Sequence, residues 1–201
     1  KIKKIKNFSN FEPTIVFKSD GIIFFEKQGT LKKYDYSQKL IWKKNFYSKQ
    51  EKKLNILLNI THENDILIIT DNLSKYYAVD LKNGELLWSK TNLTPFNSQI
   101  KIYKDKLYIV DYENILHCFS IKNGNRIWSY QTDNFFVKSK KTLSIVIDNE
   151  KVIFTNSIGD ITALDAYKGF LLWQTPTQNN LIYAESASLI TSDIVLEKDS
   201  I

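Results

Sequence analysis

The sequence predicts an all-β chain, a β-propeller of four-stranded antiparallel blades. Three observations predict it. A short phrase ending in tryptophan recurs, with Trp42, Trp88, Trp128 and Trp173 spaced 46, 40 and 45 residues apart. Short runs of β-branched and aromatic residues alternate with gaps of Asn, Asp, Gly and Ser. No amphipathic helical pattern of useful length interrupts them. A fixed period of this size marks stacked supersecondary units, and four short strands per period mark a propeller. A sandwich or a non-repetitive barrel has the same strand density but does not explain a phrase that recurs in register.

The elements follow in order. Blades are expected over residues 13–46, 55–90, 99–131 and 142–175, with an incomplete fifth starting at 186. In the fourth, strands read 143–147, 151–156, 161–165 and 170–174, separated by polar turns. Asn83-Gly84 and Asn123-Gly124 are tight-turn signals, because both residue types tolerate positive φ. The prolines, Pro13, Pro95 and Pro176, fall at strand edges or in connectors, where a missing N–H does no harm.

The phrase itself reads as structural. Its clearest copy is Ala78, Asp80, Gly84 and Trp88, and Ala163, Asp165, Gly169 and Trp173 repeat it position for position. The third copy keeps Gly124 and Trp128 but has Cys118 for Ala and Ser120 for Asp. A worn first copy runs from Lys33 through Asp35 to Trp42, one residue shorter and without its Gly. The small residue lets sheets approach, the Asp accepts backbone N–H groups of the turn, the Gly supplies positive φ, and the Trp buries its ring between blades.

This Ala-x-Asp-x-x-x-Gly-x-x-x-Trp phrase resembles the tryptophan-docking motif of the PQQ-like (quinoprotein-type) β-propeller repeat, across essentially the whole chain. The Trp-Asp dipeptide of WD40 blades and the paired glycines of kelch blades are missing. The resemblance implies two groups. PQQ-dependent dehydrogenases hold calcium with carboxylate and Asn ligands and usually carry a vicinal disulfide. With Cys118 as the single cysteine and no acidic cluster at calcium-loop spacing, the chain looks like the other group. That group is the non-enzymatic, BamB-like lipoproteins of the outer-membrane β-barrel assembly machinery.

Membership of that group implies a scaffold with no cofactor, no metal and no catalytic residue. It implies a protein partner, a subunit of the assembly machinery, and a place on the periplasmic side of the outer membrane. Membrane attachment would come only through a lipid anchor outside these residues. Such propellers close with about seven or eight blades, so the chain is expected to be part of a longer toroid. The alternatives are a PQQ-dependent oxidoreductase whose cofactor site lies in other blades, and an extracytoplasmic ligand-binding propeller.

Composition narrows the field further. A hydrophobic content of 43% argues for a folded core. The net charge is +6, but Arg126 is the only arginine, and the lysines are scattered rather than striped. Nucleic-acid readers lean on the planar arginine fork, so nucleic acid is not expected as a partner. Lys1 to Lys6 resembles the charged start of a signal peptide, but no apolar stretch follows.

His62 reads as an exposed turn residue. His117 and Cys118 are adjacent on one strand, so they point to opposite faces and cannot share a metal. Cys118 in the small-residue slot reads as a buried, inert thiol.

The connectors between blades carry apolar side chains where polar loops are expected: Phe46-Tyr47, Pro95-Phe96, Phe135-Phe136 and Ile182-Tyr183. In up-down-up-down blades all such connectors emerge on one face. Two readings stand. The rings plug the ends of the core, or Phe96, Phe135, Phe136 and Tyr183 form an apolar patch for a protein partner.

Overall fold

The computed structural model describes residues 15–132, 142–175 and 193–195. The start of a fifth blade expected from residue 186 lies outside them, apart from 193–195. Among the described residues sixteen strands form four antiparallel sheets, each ordered as in the chain. The first holds β1 (Val16–Lys18), β2 (Gly21–Glu26), β3 (Thr30–Tyr34) and β4 (Leu40–Asn45). The second holds β5 (Leu58–Glu63), β6 (Ile66–Asp71), β7 (Lys75–Asp80) and β8 (Leu86–Thr91). The third holds β9 (Lys101–Tyr103), β10 (Lys106–Val110), β11 (Ile115–Ser120) and β12 (Arg126–Gln131). The fourth holds β13 (Ile145–Asp148), β14 (Lys151–Thr155), β15 (Ile161–Asp165) and β16 (Leu171–Thr175). These meanders are the blades of a β-propeller. Two 3-10 turns, Lys27–Gly29 and Glu51–Lys53, are the only helical turns among the described residues.

The chain divides into two compact units, Lys1–Leu58 and Asn59–Ile201. In the second unit the blades stack face to face, and strand alternation shows how. Along β10, Leu107 and Ile109 join a core with Ile68, Tyr76 and Ala78, while Tyr108 and Val110 join another with Val152, Phe154 and Leu164. Both faces of the third sheet are therefore buried, which explains why β10 and β11 read as nearly continuous apolar runs.

The tryptophan phrase builds these two seams. Trp88 faces Ala78 across the β7–β8 pair, Trp128 faces Cys118 in β11–β12, and Trp173 faces Ala163 in β15–β16. A side chain on Gly124 would meet the Trp88 ring at 2.6 Å, and one on Gly169 would meet the Trp128 ring at 2.7 Å. Each ring thus lies on the glycine turn of the following blade. Both glycines also hold left-handed φ, +68° and +72°, so two constraints select glycine there. Trp88 Nε1 donates to the Ile121 carbonyl at 2.7 Å. In the next seam the corresponding carbonyl, Ala166, accepts from the Tyr108 hydroxyl at 2.7 Å, and Trp128 Nε1 has no hydrogen-bond partner. Asp80 Oδ1 accepts from the N–H groups of Lys82 and Asn83, and Asp165 Oδ1 from those of Tyr167 and Lys168.

One residue before each Trp, the outer strand bulges. The pairing skips Ile41, Leu87, Ile127 and Leu172, leaving each exposed by 44–48%. A bulge on an edge strand twists it away from intermolecular pairing.

The first unit shows how a worn copy still works. Gln38 takes φ of +66° where the other copies have glycine, and closes the shorter turn by donating its N–H to the Asp35 carbonyl at 3.1 Å. Lys33 fills the small-residue slot opposite Trp42, only 2% exposed, and its ammonium reaches Asp20 at 2.6 Å.

Candidate functional site

The structure contains a second repeated marker that the sequence reading passed over. Asp71, Asp111 and Asn156 each stand seventeen residues before their Trp, where the second strand ends. Each Oδ1 accepts two backbone N–H groups of the next turn: Leu73 and Lys75, Glu113 and Ile115, Ile158 and Asp160. Short polar side chains bond locally in this way, so the residue type follows from the turn. The constant offset from Trp was the available signal.

These turns carry the connectors. The Asn92 N–H donates to the Ser74 carbonyl at 2.8 Å, and the Thr132 N–H to the Asn114 carbonyl at 3.3 Å. At the connector over residues 92–96, the second oxygen of Asp111 does more. Its Oδ2 accepts from Thr94 Oγ1 at 2.8 Å and Asn92 Nδ2 at 3.3 Å, and stands 2.8 Å from His117 Nε2. The Tyr112 N–H closes the far end on the Pro95 carbonyl at 3.0 Å. Asp111 and His117 are both buried. Burial pushes the Asp111 carboxyl up, but the bonds from His117 and Thr94 outweigh it, and the group sits below its ordinary value.

The staked connector turns two apolar residues in opposite directions. Phe96 bridges to Asp111, and its ring meets Tyr76 and Phe119 edge-on at 5.6 and 6.3 Å. It is half-buried, a plug at the end of the core. Leu93 points the other way and is 97% exposed. The first unit repeats the division by itself. Tyr47 is buried, while Leu54 and Leu57, later in that connector, are exposed. In these two connectors Tyr47 and Phe96 turn in, and Leu54, Leu57 and Leu93 turn out. Phe135, Phe136 and Tyr183 lie outside the described residues.

His62 sits within β5 and is half-buried, not an exposed turn residue. The Asn64-Asp65 turn comes two residues later than the His, so the strand absorbs it. His117 stacks on Phe119 at 5.4 Å, and Cys118 lies on the opposite face against Tyr108. Burial pushes the Cys118 thiol up to about 12, so it carries no thiolate near neutral pH. Among the described residues no three His, Cys, Asp or Glu side chains are placed to hold a metal ion.

The match to known proteins follows these repeats. The family model described as "Outer membrane protein assembly factor BamB" matches residues 27–201. The chain belongs to that family. Curated BamB proteins resemble it at modest identity. The Shewanella oneidensis protein is 28% identical over 113 residues, 56% of this chain and 26% of its own length. The Francisella tularensis subsp. tularensis protein is 25% identical over 158 residues, 77% of this chain and 33% of its own. The Moranella endobia protein is 24% identical over 165 residues, 81% of this chain and 39% of its own. The chain thus spans between a quarter and two fifths of these BamB proteins. The crystal structure of BamB from Moraxella catarrhalis matches 84% of the chain and 51% of its own, at a TM-score of 0.64 and 20% identity. The computationally designed Ika4 protein matches 79% of the chain and 94% of its own, at 0.60 and 10%. These two likenesses are of fold.

Proposed function

We propose that this chain is part of a non-catalytic BamB-like scaffold, which supports assembly of outer-membrane β-barrel proteins by holding a protein partner against its connector face. The blades run over 13–46, 55–90, 99–131 and 142–175, with a fifth from 186. The tryptophan phrases at Trp88 and Trp128 hold blade on blade, and those at Trp42 and Trp173 repeat the motif. The scaffold works on the periplasmic side of the outer membrane, and its partner is another subunit of the assembly machinery. Family membership and the relatives' shared name support that role. The partner face consists of the connectors, including Phe135, Phe136 and Tyr183.

The observation that carries the reading is Leu93. A leucine 97% exposed forgoes roughly 2 kcal/mol of burial, and here it stands on a connector fixed by side-chain bonds beneath. An exposed apolar anchor on a fixed support suits protein recognition, because little freedom remains to be lost on binding. The test is site-specific photo-crosslinking in the full-length protein in its own cells. A crosslinker at position 93 should capture an outer-membrane assembly subunit, while one at Lys104, in the exposed β9–β10 turn, should not. Equal capture from both positions, or none from 93, would contradict the reading. So would micromolar PQQ binding in a titration, about −8 kcal/mol, which would move the protein to the oxidoreductases.

A further inference from the structure

The connector that presents Leu93 is fixed from beneath by a buried acidic group with two separable jobs. Asp111 Oδ1 holds its own turn through Glu113 N–H and Ile115 N–H, at 2.9 and 3.1 Å. Asn156 does the same for the fourth blade with an amide oxygen, at 3.1 and 2.9 Å. Turn-holding therefore needs one acceptor oxygen, which Asn supplies as well as Asp. The remaining atom differs between the two blades. Asn156 Nδ2 donates to Asp160 Oδ2 at 3.3 Å, inside its own turn. Asp111 Oδ2 instead gathers Thr94, Asn92 and His117. Three donors converging on one carboxylate oxygen demand an acceptor-only group there.

His117 completes the arrangement. Its Nε2 fixes the carboxylate from the strand side, and its ring stacks on Phe119 at 14° and meets Phe96 edge-on at 87°. One side chain thus touches both the acid that holds the start of the connector and the ring that ends it. The second and fourth blades have Tyr77 and Thr162 at this strand position, and the phrase does not require a histidine there.

We infer that Asp111 and His117 are positioning residues for partner docking: they form a stake that fixes the 92–96 connector and holds Leu93 outward, without themselves touching a partner. This rests on the connector-face reading above. The stake and the docking are separately measurable. A nitroxide attached at Leu93→Cys in the full-length protein reports connector motion with no partner present, and crosslinking from position 93 reports docking.

Asp111→Asn keeps the turn, as Asn156 does, and puts an amide donor against Asn92 Nδ2. The label should lose its immobile spectral component, and crosslinking from 93 should fall. Asp71→Asn, which also keeps its turn, should leave the component intact. Thr94→Val removes only the connector's own hydroxyl and should reproduce the Asp111→Asn spectrum, even if Asp111→Asn itself fails to fold. An immobile component that survives Thr94→Val and Asp111→Asn overturns the stake. Loss of that component with undiminished crosslinking supports the stake and overturns Leu93 as the docking anchor.

Discussion

The seam at Trp88 and the connector at 92–96 are almost adjacent in the chain, yet they spend their apolar residues in opposite ways. In the seam the Trp88 ring lies on Gly124, where even a methyl group would collide at 2.6 Å. In the connector, which starts four residues beyond Trp88 at the end of its strand, polar groups point inward onto Asp111 and Leu93 points to solvent. The seam has the geometry of something that must stay together. The connector has the geometry of something made to be met. Substitutions in the seam should move stability alone, and substitution of the outward-facing Leu93 should move partner capture alone.

The largest effect belongs to the seam. Trp88→Ala should cost about 3 kcal/mol, the lower end for a truncated aromatic because the ring is only half-buried. Gly124→Val should cost a similar amount, roughly 2–5 kcal/mol, since it combines positive-φ strain with the collision against Trp88. Urea unfolding midpoints measure both. A neutral Gly124→Val would mean the ring is not seated there.

Next, Phe96→Ser should cost roughly 2–4 kcal/mol, because the ring is part of the core between Tyr76 and Phe119. An unchanged thermal midpoint would return Phe96 to the partner face.

A smaller effect distinguishes the two seams. Trp88→Phe removes a hydrogen bond to Ile121, whereas Trp128→Phe removes none. The first should cost about 1 kcal/mol more than the second. Equal costs would show that the indole bond contributes nothing, and that ring packing alone repeats.

The smallest expected effect is confined to acid pH. The Asp111 carboxyl titrates below its ordinary value of 3.8 in the folded chain. Its contribution is therefore fully present above pH 3.8 and is lost as the pH falls through the folded value. Asp111→Asn should remove that component of the acid limb, measured as unfolding free energy against pH. An acid limb unchanged by the substitution would mean the carboxylate's charge stabilises nothing.

The limits of sequence reading follow from the same contrast. The repeat was legible because the phrase is periodic: its copies at Trp88, Trp128 and Trp173 share one register, and register follows from alternation. The sequence also placed Cys118 and His117 on opposite faces for that reason. Three features were not legible. Tyr108 takes the Ala166 carbonyl from Trp128 through a competition in space that no local pattern records. Gln38 replaces a glycine in the left-handed region, so the worn first copy hides a turn that still forms. The connector has no period, and nothing in Leu93-Thr94-Pro95-Phe96 says which apolar side chain faces out. That depends on Asp111, fifteen residues after Phe96, whose offset from Trp128 matches Asp71 from Trp88.

The most direct test combines both readouts in one variant. Leu93→Ser, in the full-length protein, should leave the thermal midpoint unchanged, because the side chain is already in water. It should at the same time lower the amount of outer-membrane assembly subunit captured by the protein, whereas Trp88→Phe should lower the midpoint and leave capture by the folded protein intact. If Leu93→Ser captures as much partner as the unaltered protein, the connector is not the docking face and the scaffold reading loses its site.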